Sequence, residues 1–466
     1  MRFFAVFIVL LAALPVRADW LRLLGTRTEL FTDAGEKEGR RALSRLEQIR
    51  AILPGGNDDR SRHLRIVLFD SEKQFREYAR SETTSGFYQS GLERDYVVTY
   101  AGGELSRVVT HEFVHFLLNQ TPAPLPRWFE EGTAELYSNT QINKKRVRIG
   151  KEIEPHMNLL LSRPWLTARE MAAERPTAAP DQEEAVNVFY AESWALMHML
   201  NLSPDYRAHL PQFITLLTQG TDAPEAFRIA FGRDFAKVLA EVPAYLKKIR
   251  SVQLDIPPPP PFIASKVEPI SEVAATLLRG DVALRRGLAE KARTLFDQAA
   301  REHPDSAAAQ AGLGMLAMTQ NRPGDARRYL ERALLLDDKD ATILFEYALL
   351  ERDAGAGNER VRELLEKVVA LNPNFGEAQL LLGVRATDDR NFDKAVAYLH
   401  AAARLLPRQS YVWHALAYAQ QKLGRYPEAL DAAQRAVRTA STDDQEHMAV
   451  ALRDALRDQG LGNTAR

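Results

Sequence analysis

The chain has 466 residues, 45% of them hydrophobic and 26% charged, which is typical of a soluble globular protein with two or three domains. Its net charge of −1 gives no indication of binding to nucleic acid or to an anionic membrane. The chain has no cysteine, which excludes disulfides, thiolate metal sites, cysteine nucleophiles and a lipidated N-terminal cysteine. Any metal must therefore be bound by histidine and carboxylate side chains.

The first residues, MRFFAVFIVLLAALPVRADW, have the pattern of a signal peptide. Arg2 supplies a positive start, residues 3–14 are apolar, and Ala18 ends a small-x-small cleavage site. The alternative is a membrane anchor, but about twelve apolar residues fall short of the roughly twenty that span a bilayer. We expect residues 1–18 to be removed and the mature chain, without a transmembrane segment, to be exported. The periplasm is the expected destination, with the extracellular medium as the alternative.

The first half of the mature chain predicts short strands followed by helices. The segment HLRIVLFD has a β-branched, apolar centre typical of a strand, and Ser71 then suits the N-cap of a helix. The predicted strands are 63–70, 85–91 and 95–100, and the later helical patterns are 126–140 and 185–202. This order predicts an α+β domain over residues 19–250.

The segment THEFVHFLLN follows the last of these strands and places two histidines four residues apart. On a helix, His111 and His115 lie on one face, so both imidazoles can bind one ion. Glu112 points beside that ion and can act on a bound water. The alternative is an ordinary buried helix, in which both histidines need other polar partners.

A catalytic zinc needs a third protein ligand, and LPRWFEEGTAELY offers one. Pro126 suits the start of a second helix, and an antiparallel return at 1.5 Å per residue brings Glu131 back level with His115. Glu130 points about 100° away from Glu131, whereas Glu135 shares its face and suits a partner for a ligand histidine. The alternative for all three glutamates is a solvated acidic face.

HEFVH followed by WFEEGTAEL resembles the gluzincin metallopeptidases, and most closely the bacterial peptidase MA-like families, over roughly residues 60–205. The resemblance implies a thermolysin-like (zincin) catalytic domain with one Zn²⁺ per chain. It implies that His111, His115 and Glu131 are the metal ligands, that Glu112 is the general base, and that Glu135 is the carboxylate behind the ligands.

The strand before the metal helix implies an edge to which an extended peptide adds. This prediction assigns substrate binding to Tyr96, Val97, Val98 and Thr99, with an ordinary interior strand as the alternative. Tyr190, in VFYAESWALMHML, is either the hydrogen-bond donor to the oxyanion or a packing residue, and His198 is expected to be a core histidine. No aminopeptidase N-terminus-binding motif is recognised, so we expect an endopeptidase.

The segment DIPPPPPFIASKVEP predicts a proline-rich linker over residues 251–270. Beyond it, small residues recur about every 34 positions, as at Gly280 and Gly314. This pattern resembles the tetratricopeptide (TPR) family and predicts an all-α solenoid of about five repeats over 271–442, with a capping helix and tail over 443–466.

Together these features predict an exported zinc metallopeptidase that cleaves a peptide or protein substrate and binds a protein partner through its TPR array. One alternative is a catalytically silent TPR scaffold with a vestigial peptidase domain. Another is a zinc hydrolase acting on cell-wall peptides.

Overall fold

The computed structural model describes residues 20–53, 63–81, 84–91, 94–121, 125–173 and 182–464. The predicted signal peptide lies outside these residues. Among the helices of the described ranges, none is both long and apolar enough to cross a membrane. The N-terminal half combines strands with helices, and the C-terminal half is helical.

The main sheet of the N-terminal half has six strands in the order β4-β5-β3-β2-β1-β9. Its strands are β1 (Leu21–Leu24), β2 (Thr28–Thr32), β3 (His63–Phe69), β4 (Gly86–Gln89), β5 (Arg94–Tyr100) and β9 (Lys266–Pro269). β2, β3 and β5 are parallel, whereas β4 and β9 pair antiparallel at the two edges. A smaller sheet contains β6 (Gln141–Ile142), β7 (Val147–Ile149) and β8 (Leu254–Ile256).

Helices cover the main sheet and extend the domain. They are α1 (Gly35–Ile52), α2 (Glu72–Arg76), α3 (Leu105–Asn119), α4 (Arg127–Ser138), α5 (Glu154–Ser162), α6 (Ala168–Met171), α7 (Gln182–Leu202), α8 (Pro204–Arg207), α9 (Leu210–Gln219), α10 (Ala223–Phe231), α11 (Phe235–Leu239) and α12 (Val242–Tyr245), followed by a 3-10 turn at Leu246–Ser251.

The C-terminal half consists of five helix pairs and a final helix, which we call the array. The pairs are α13 (Glu272–Arg285) with α14 (Ala289–Glu302), α15 (Ala307–Thr319) with α16 (Pro323–Leu336), α17 (Ala341–Asp353) with α18 (Asn358–Leu371), α19 (Gly376–Asp388) with α20 (Phe392–Leu405), and α21 (Ser410–Lys422) with α22 (Tyr426–Arg438); α23 (Asp443–Thr464) follows. A Cβ on Gly280 would lie 2.6 Å from the Phe296 ring. The small residue of each repeat therefore lets its two helices approach closely.

The central strand β3 is apolar on both faces because both faces of the sheet are covered. Leu64 and Ile66 pack in a core with α1 and α3, whereas Val67 and Phe69 pack in a second core with α13. The first helix of the array therefore covers the second face of the sheet.

The segment predicted as a linker, 251–270, belongs instead to the folded domain. It contributes β8 to the smaller sheet and β9 to the main sheet, on either side of its proline run. Proline cannot donate a backbone hydrogen bond, so the run itself stays outside the strands. The strands flanking it tie the start of the array to the N-terminal domain.

Candidate metal centre

α3 presents the two histidines on a different face from the side chains that pack in the core. Val109, Phe113 and Phe116 are fully buried in the core between α3 and the sheet. His111 and His115, one turn apart on another face, line a cavity. Their Nε2 atoms lie 3.1 Å apart.

α4 returns alongside α3 and brings Glu131 to the histidine pair. Trp128 and Phe129 anchor its first turn among the aromatic rings of α9 and α10. The Glu131 Oε2 atom then lies 3.3 Å from Nε2 of His115 and 3.6 Å from Nε2 of His111. Among the described residues, these three side chains form a group whose possible ligand atoms all lie within 4.8 Å of one another.

The geometry of this group fits a zinc ion. Ligand atoms at about 2.0–2.1 Å from a tetrahedral zinc are separated from each other by about 3.4 Å. The three observed separations, 3.1, 3.3 and 3.6 Å, bracket that value. Glu131 Oε2 is also buried and makes no hydrogen bond of good geometry within the described structure, whereas Oε1 lies 3.9 Å from Nε of Arg127. A buried carboxylate oxygen without a hydrogen bond is costly, and a metal ion would satisfy it.

The charges of the group are complementary. Burial by itself lowers the pKa of His111, but the carboxylates of Glu131 and Glu135 outweigh burial and hold that pKa well above its usual value. Burial by itself raises the pKa of Glu131, but the two imidazoles outweigh it and hold the pKa far below the usual value. The site therefore favours a carboxylate that is ionised.

Glu135 lies behind His111, at the position that the sequence predicts. Its Oε1 is 3.2 Å from Nδ1 of His111, and its Oε2 is 2.8 Å from Arg107 and 3.1 Å from His156. Burial opposes ionisation, but His111, His156 and Arg107 together hold the pKa of Glu135 well below its usual value. An ionised Glu135 orients His111 by accepting its Nδ1–H.

Arg107 and His156 are absent from the sequence-based prediction. Arg107 was detectable, because it precedes His111 by one helical turn and so lies on the same face of α3. His156 comes from α5, beyond the smaller sheet, and no local pattern connects it to the motif.

Glu112 and Tyr190 line the same cavity as the two histidines. This cavity, of about 680 Å³, is bounded on another side by Gly86 and Tyr88 of β4. A second cavity, of about 700 Å³, is lined by His156 and by Tyr190, which thus lies beside both. The ring centroid of Tyr190 is 6.3 Å from that of His111. Burial is the main cause of a raised pKa at Tyr190, so its hydroxyl keeps its proton.

The predicted substrate strand is placed differently. β5 is an interior strand between β4 and β3, and Tyr96, Val97, Val98 and Thr99 are all buried. The prediction that these residues form an accessible edge is therefore wrong, because a further strand pairs along β5. Among the described strands of the main sheet, the edge strand that lines the metal cavity is β4.

His198 is a core residue, as its apolar helix predicts. Its side chain is fully buried, with Nε2 2.9 Å from the Gly150 carbonyl oxygen and Nδ1 2.8 Å from the Tyr245 hydroxyl. Burial lowers its pKa to about 4. A neutral imidazole that donates from Nε2 and accepts at Nδ1 satisfies both contacts.

Comparison with known proteins identifies the C-terminal half. Two tetratricopeptide repeat profiles match the chain, at residues 283–344 and 380–444. No curated protein matches the sequence. The repeats place this half in the class of TPR solenoids, whose concave surfaces bind protein partners. Both matched ranges lie in the array, so neither match bears on whether the N-terminal half has a thermolysin-like fold.

Solved structures with similar folds include a protein from a study of Pseudomonas aeruginosa pilF, 21% identical, covering 41% of this chain and 87% of that chain at a TM-score of 0.36. MamA is 18% identical, and the match covers 36% of this chain and 91% of that chain at a TM-score of 0.30. YrrB, described as a TPR protein with an unusual peptide-binding site, is 15% identical, and the match covers 39% of this chain and 92% of that chain at a TM-score of 0.32.

Proposed function

We propose that this chain is an exported, zinc-dependent endopeptidase of the gluzincin type that carries a protein-interaction array. The observation on which the proposal depends is the convergence of His111, His115 and Glu131. Their donor atoms are separated by 3.1 to 3.6 Å. Two imidazoles and one carboxylate are the ligand set of a catalytic zinc site, in which a fourth position is left for water.

The residues of the cavity divide the chemistry among them. Zn²⁺, if held by His111, His115 and Glu131, would supply Lewis acidity and lower the pKa of water at the site. Glu112, which lines the same cavity, would accept a proton from the attacking water and return it to the leaving amine. Tyr190, which lines both cavities, would donate a hydrogen bond from its hydroxyl to the developing oxyanion.

The substrate is a peptide in extended conformation. β4 is the terminal strand of the main sheet and lines the metal cavity, so an extended peptide can add to the sheet there as a further strand. The second cavity continues past Tyr190 towards α5, which leaves room for substrate on both sides of the metal. Such a cleft suits an endopeptidase.

The scaffold function is the second candidate, and the matched TPR repeats favour it. In that case the array binds a protein partner and the N-terminal half has lost its activity. Loss of selection on a metal site removes ligands or base, whereas His111, His115, Glu131 and Glu112 are all present. We therefore place the peptidase function first, with the array binding a partner or presenting substrate.

Zinc analysis together with a Glu112→Gln variant tests the proposal. We expect the purified mature chain to contain about one zinc per molecule, and we expect Glu112→Gln to retain the metal but lose hydrolysis of quenched peptide libraries. Glu36→Gln, an exposed glutamate on α1 paired only with Arg40 in the described structure, is the matched control. Peptidoglycan-derived peptides, assayed in parallel, distinguish a cell-wall hydrolase.

Two outcomes would overturn the proposal. One is a protein that binds no zinc at near-stoichiometric level. The other is a Glu112→Gln variant that cleaves every tested substrate as fast as the parent. Either outcome would favour the scaffold function.

A further inference from the structure

Arg408 belongs to the array but makes its polar contacts with the N-terminal domain. It lies in the turn between α20 and α21, and the described structure gives it five hydrogen bonds, all to residues of the α3–α4 hairpin. These two helices hold the three candidate metal ligands. The contact joins residues that lie 278 to 290 positions apart in the sequence.

On one side, the Arg408 guanidinium caps the end of the histidine helix. Nη2 donates to the Leu118 carbonyl oxygen at 2.7 Å and to the Thr121 hydroxyl at 2.9 Å, and Nη1 donates to the Asn119 side chain at 3.3 Å. The Leu118 carbonyl oxygen also accepts from the Thr121 backbone N–H and hydroxyl, and carbonyl groups at the end of a helix favour a nearby cation. His115 lies in that same turn.

On the other side, Arg408 pairs with the helix that holds the third ligand. Its Nη2 is 2.9 Å from Oε1 of Glu130, and both side chains are about one-fifth to one-quarter exposed. Glu130 directly precedes Glu131. Since the two point about 100° apart on α4, Arg408 holds Glu130 from outside while Glu131 faces the histidines.

The connection between the two helices has few donors of its own. Pro122, Pro124 and Pro126 lack a backbone N–H. Arg408 Nε supplies a donor to the Thr121 carbonyl oxygen at 3.4 Å.

The contact also extends to the wall of the metal cavity. Asn119, which accepts from Arg408, donates its Nδ2 to the Tyr88 hydroxyl at 2.7 Å. Tyr88 in turn donates to Asp95 at 2.8 Å and lines the cavity from β4. One guanidinium from the array thus contacts both ligand helices and, through Asn119, the edge strand.

We propose that Arg408 is a positioning residue of the metal site: it holds α3 and α4 at the separation at which His115 and Glu131 bind one ion. The proposal rests on the zinc site proposed above. It makes the array part of the metal site, because Arg408, which lies between the fourth and fifth helix pairs, sets the geometry of the ligands.

The test compares zinc affinities of the full mature chain. Metal-stripped parent, Arg408→Ala, Arg408→Lys and Glu130→Gln are titrated with Zn²⁺ against a chromophoric chelator, and their thermal unfolding is recorded in the metal-free state. Arg425→Ala is the matched control, because Arg425 pairs with Asp393 inside the array.

We expect Arg408→Ala to raise the zinc Kd at least about tenfold, as loss of partners around a ligand does. Arg408→Lys keeps the charge beside Glu130 but loses the multiple donors, so it should recover part of the affinity. Glu130→Gln should weaken binding by an intermediate factor, and Arg425→Ala should match the parent. If Arg408→Ala does not fold, the lysine and glutamine variants provide the comparison.

If the parent binds zinc and Arg408→Ala has the same zinc Kd, the Arg408 proposal alone is overturned. The same holds if Arg408→Lys and Glu130→Gln both have the zinc Kd of the parent. A lower melting temperature with unchanged Kd would also overturn it, since Arg408 would then be a simple stabilising contact. A parent that binds no zinc would overturn the proposed function and, with it, this inference.

Discussion

Replacing Gly132 with alanine tests whether the contact between α4 and α7 holds Glu131 in place. Gly132 directly follows the third candidate ligand, and α4 packs closely on α7 at this point. A Cβ built on Gly132 lies 2.2 Å from the Ser193 carbonyl oxygen and 2.5 Å from Met197 Cγ. The methionine side chain can move, but the carbonyl belongs to the backbone of a buried helix and cannot.

The size of the effect follows from these distances. A carbon atom approaches a carbonyl oxygen to about 3.3 Å, so the helices must separate locally by about 1 Å. Ligand positions in a metal site tolerate about 0.2 Å, so Glu131 is displaced well beyond that tolerance. Overpacking costs about 3 kcal/mol, and the better helix propensity of alanine returns about 1 kcal/mol. The net loss of about 2 kcal/mol lowers Tm by about 4–8 °C.

Calorimetry and chelator competition measure the two consequences for Gly132→Ala, and Gly103→Ala is the control. A Cβ on Gly103 meets no atom within 4 Å, so that variant should match the parent in Tm and in zinc affinity. We expect Gly132→Ala to lose at least about tenfold in zinc affinity along with its stability. A Gly132→Ala variant as stable as the parent, with the same zinc Kd, would show that the contact between α4 and α7 does not hold Glu131 in place.

Three further predictions concern Glu135, Tyr190 and His198. Glu135→Gln should lower zinc affinity by about 10- to 100-fold in a competition titration, because His111 loses its charged acceptor, while the exposed Glu154→Gln should not. Tyr190→Phe should reduce kcat by about 100-fold with unchanged zinc content; equal turnover would make Tyr190 a packing residue. The pKa of buried His198 is about 4 against 6.5 in the unfolded chain. The unfolded chain therefore binds the proton first as pH falls, and stability is lost between about pH 6.5 and 4, by up to about 3 kcal/mol. Chemical denaturation across this pH range should show a smaller loss of stability in His198→Gln than in the parent. Parallel curves of stability against pH for the two proteins would contradict the assignment of this loss to His198.

Much of this protein can be predicted from local patterns. The spacing of His111 and His115 requires only that the segment be helical, and the position of Glu131 requires only a short antiparallel return. The repeat period in the array is equally local, since each small residue serves the contact between the two helices of its own repeat, as Gly280 does against Phe296. Patterns of this kind depend on neighbours within about 35 residues of sequence.

The main sheet shows where such patterns are insufficient. An apolar strand such as β5 has the same composition at an edge and in the interior when both faces are covered. Only the pairing of β4 along β5 decides that Tyr96–Thr99 are buried and that β4 borders the cavity. The proline run likewise predicts a linker, but the segments on either side of it form β8 and β9. They are strands because β8 pairs with β7 and β9 pairs with β1, and both partners are distant in the sequence.

Helical and repeat contacts are close in sequence, so the candidate metal ligands, the two helices that hold them and the repeat architecture can be predicted from the residues alone. The tertiary structure was needed to show that β4 borders the cavity, that His156 contacts Glu135 and that Arg408 contacts the α3–α4 hairpin. Those contacts join segments far apart in the chain. They depend on the order of strands in the sheet and on how the array packs against the N-terminal domain, and neither property leaves a periodic pattern in the residues.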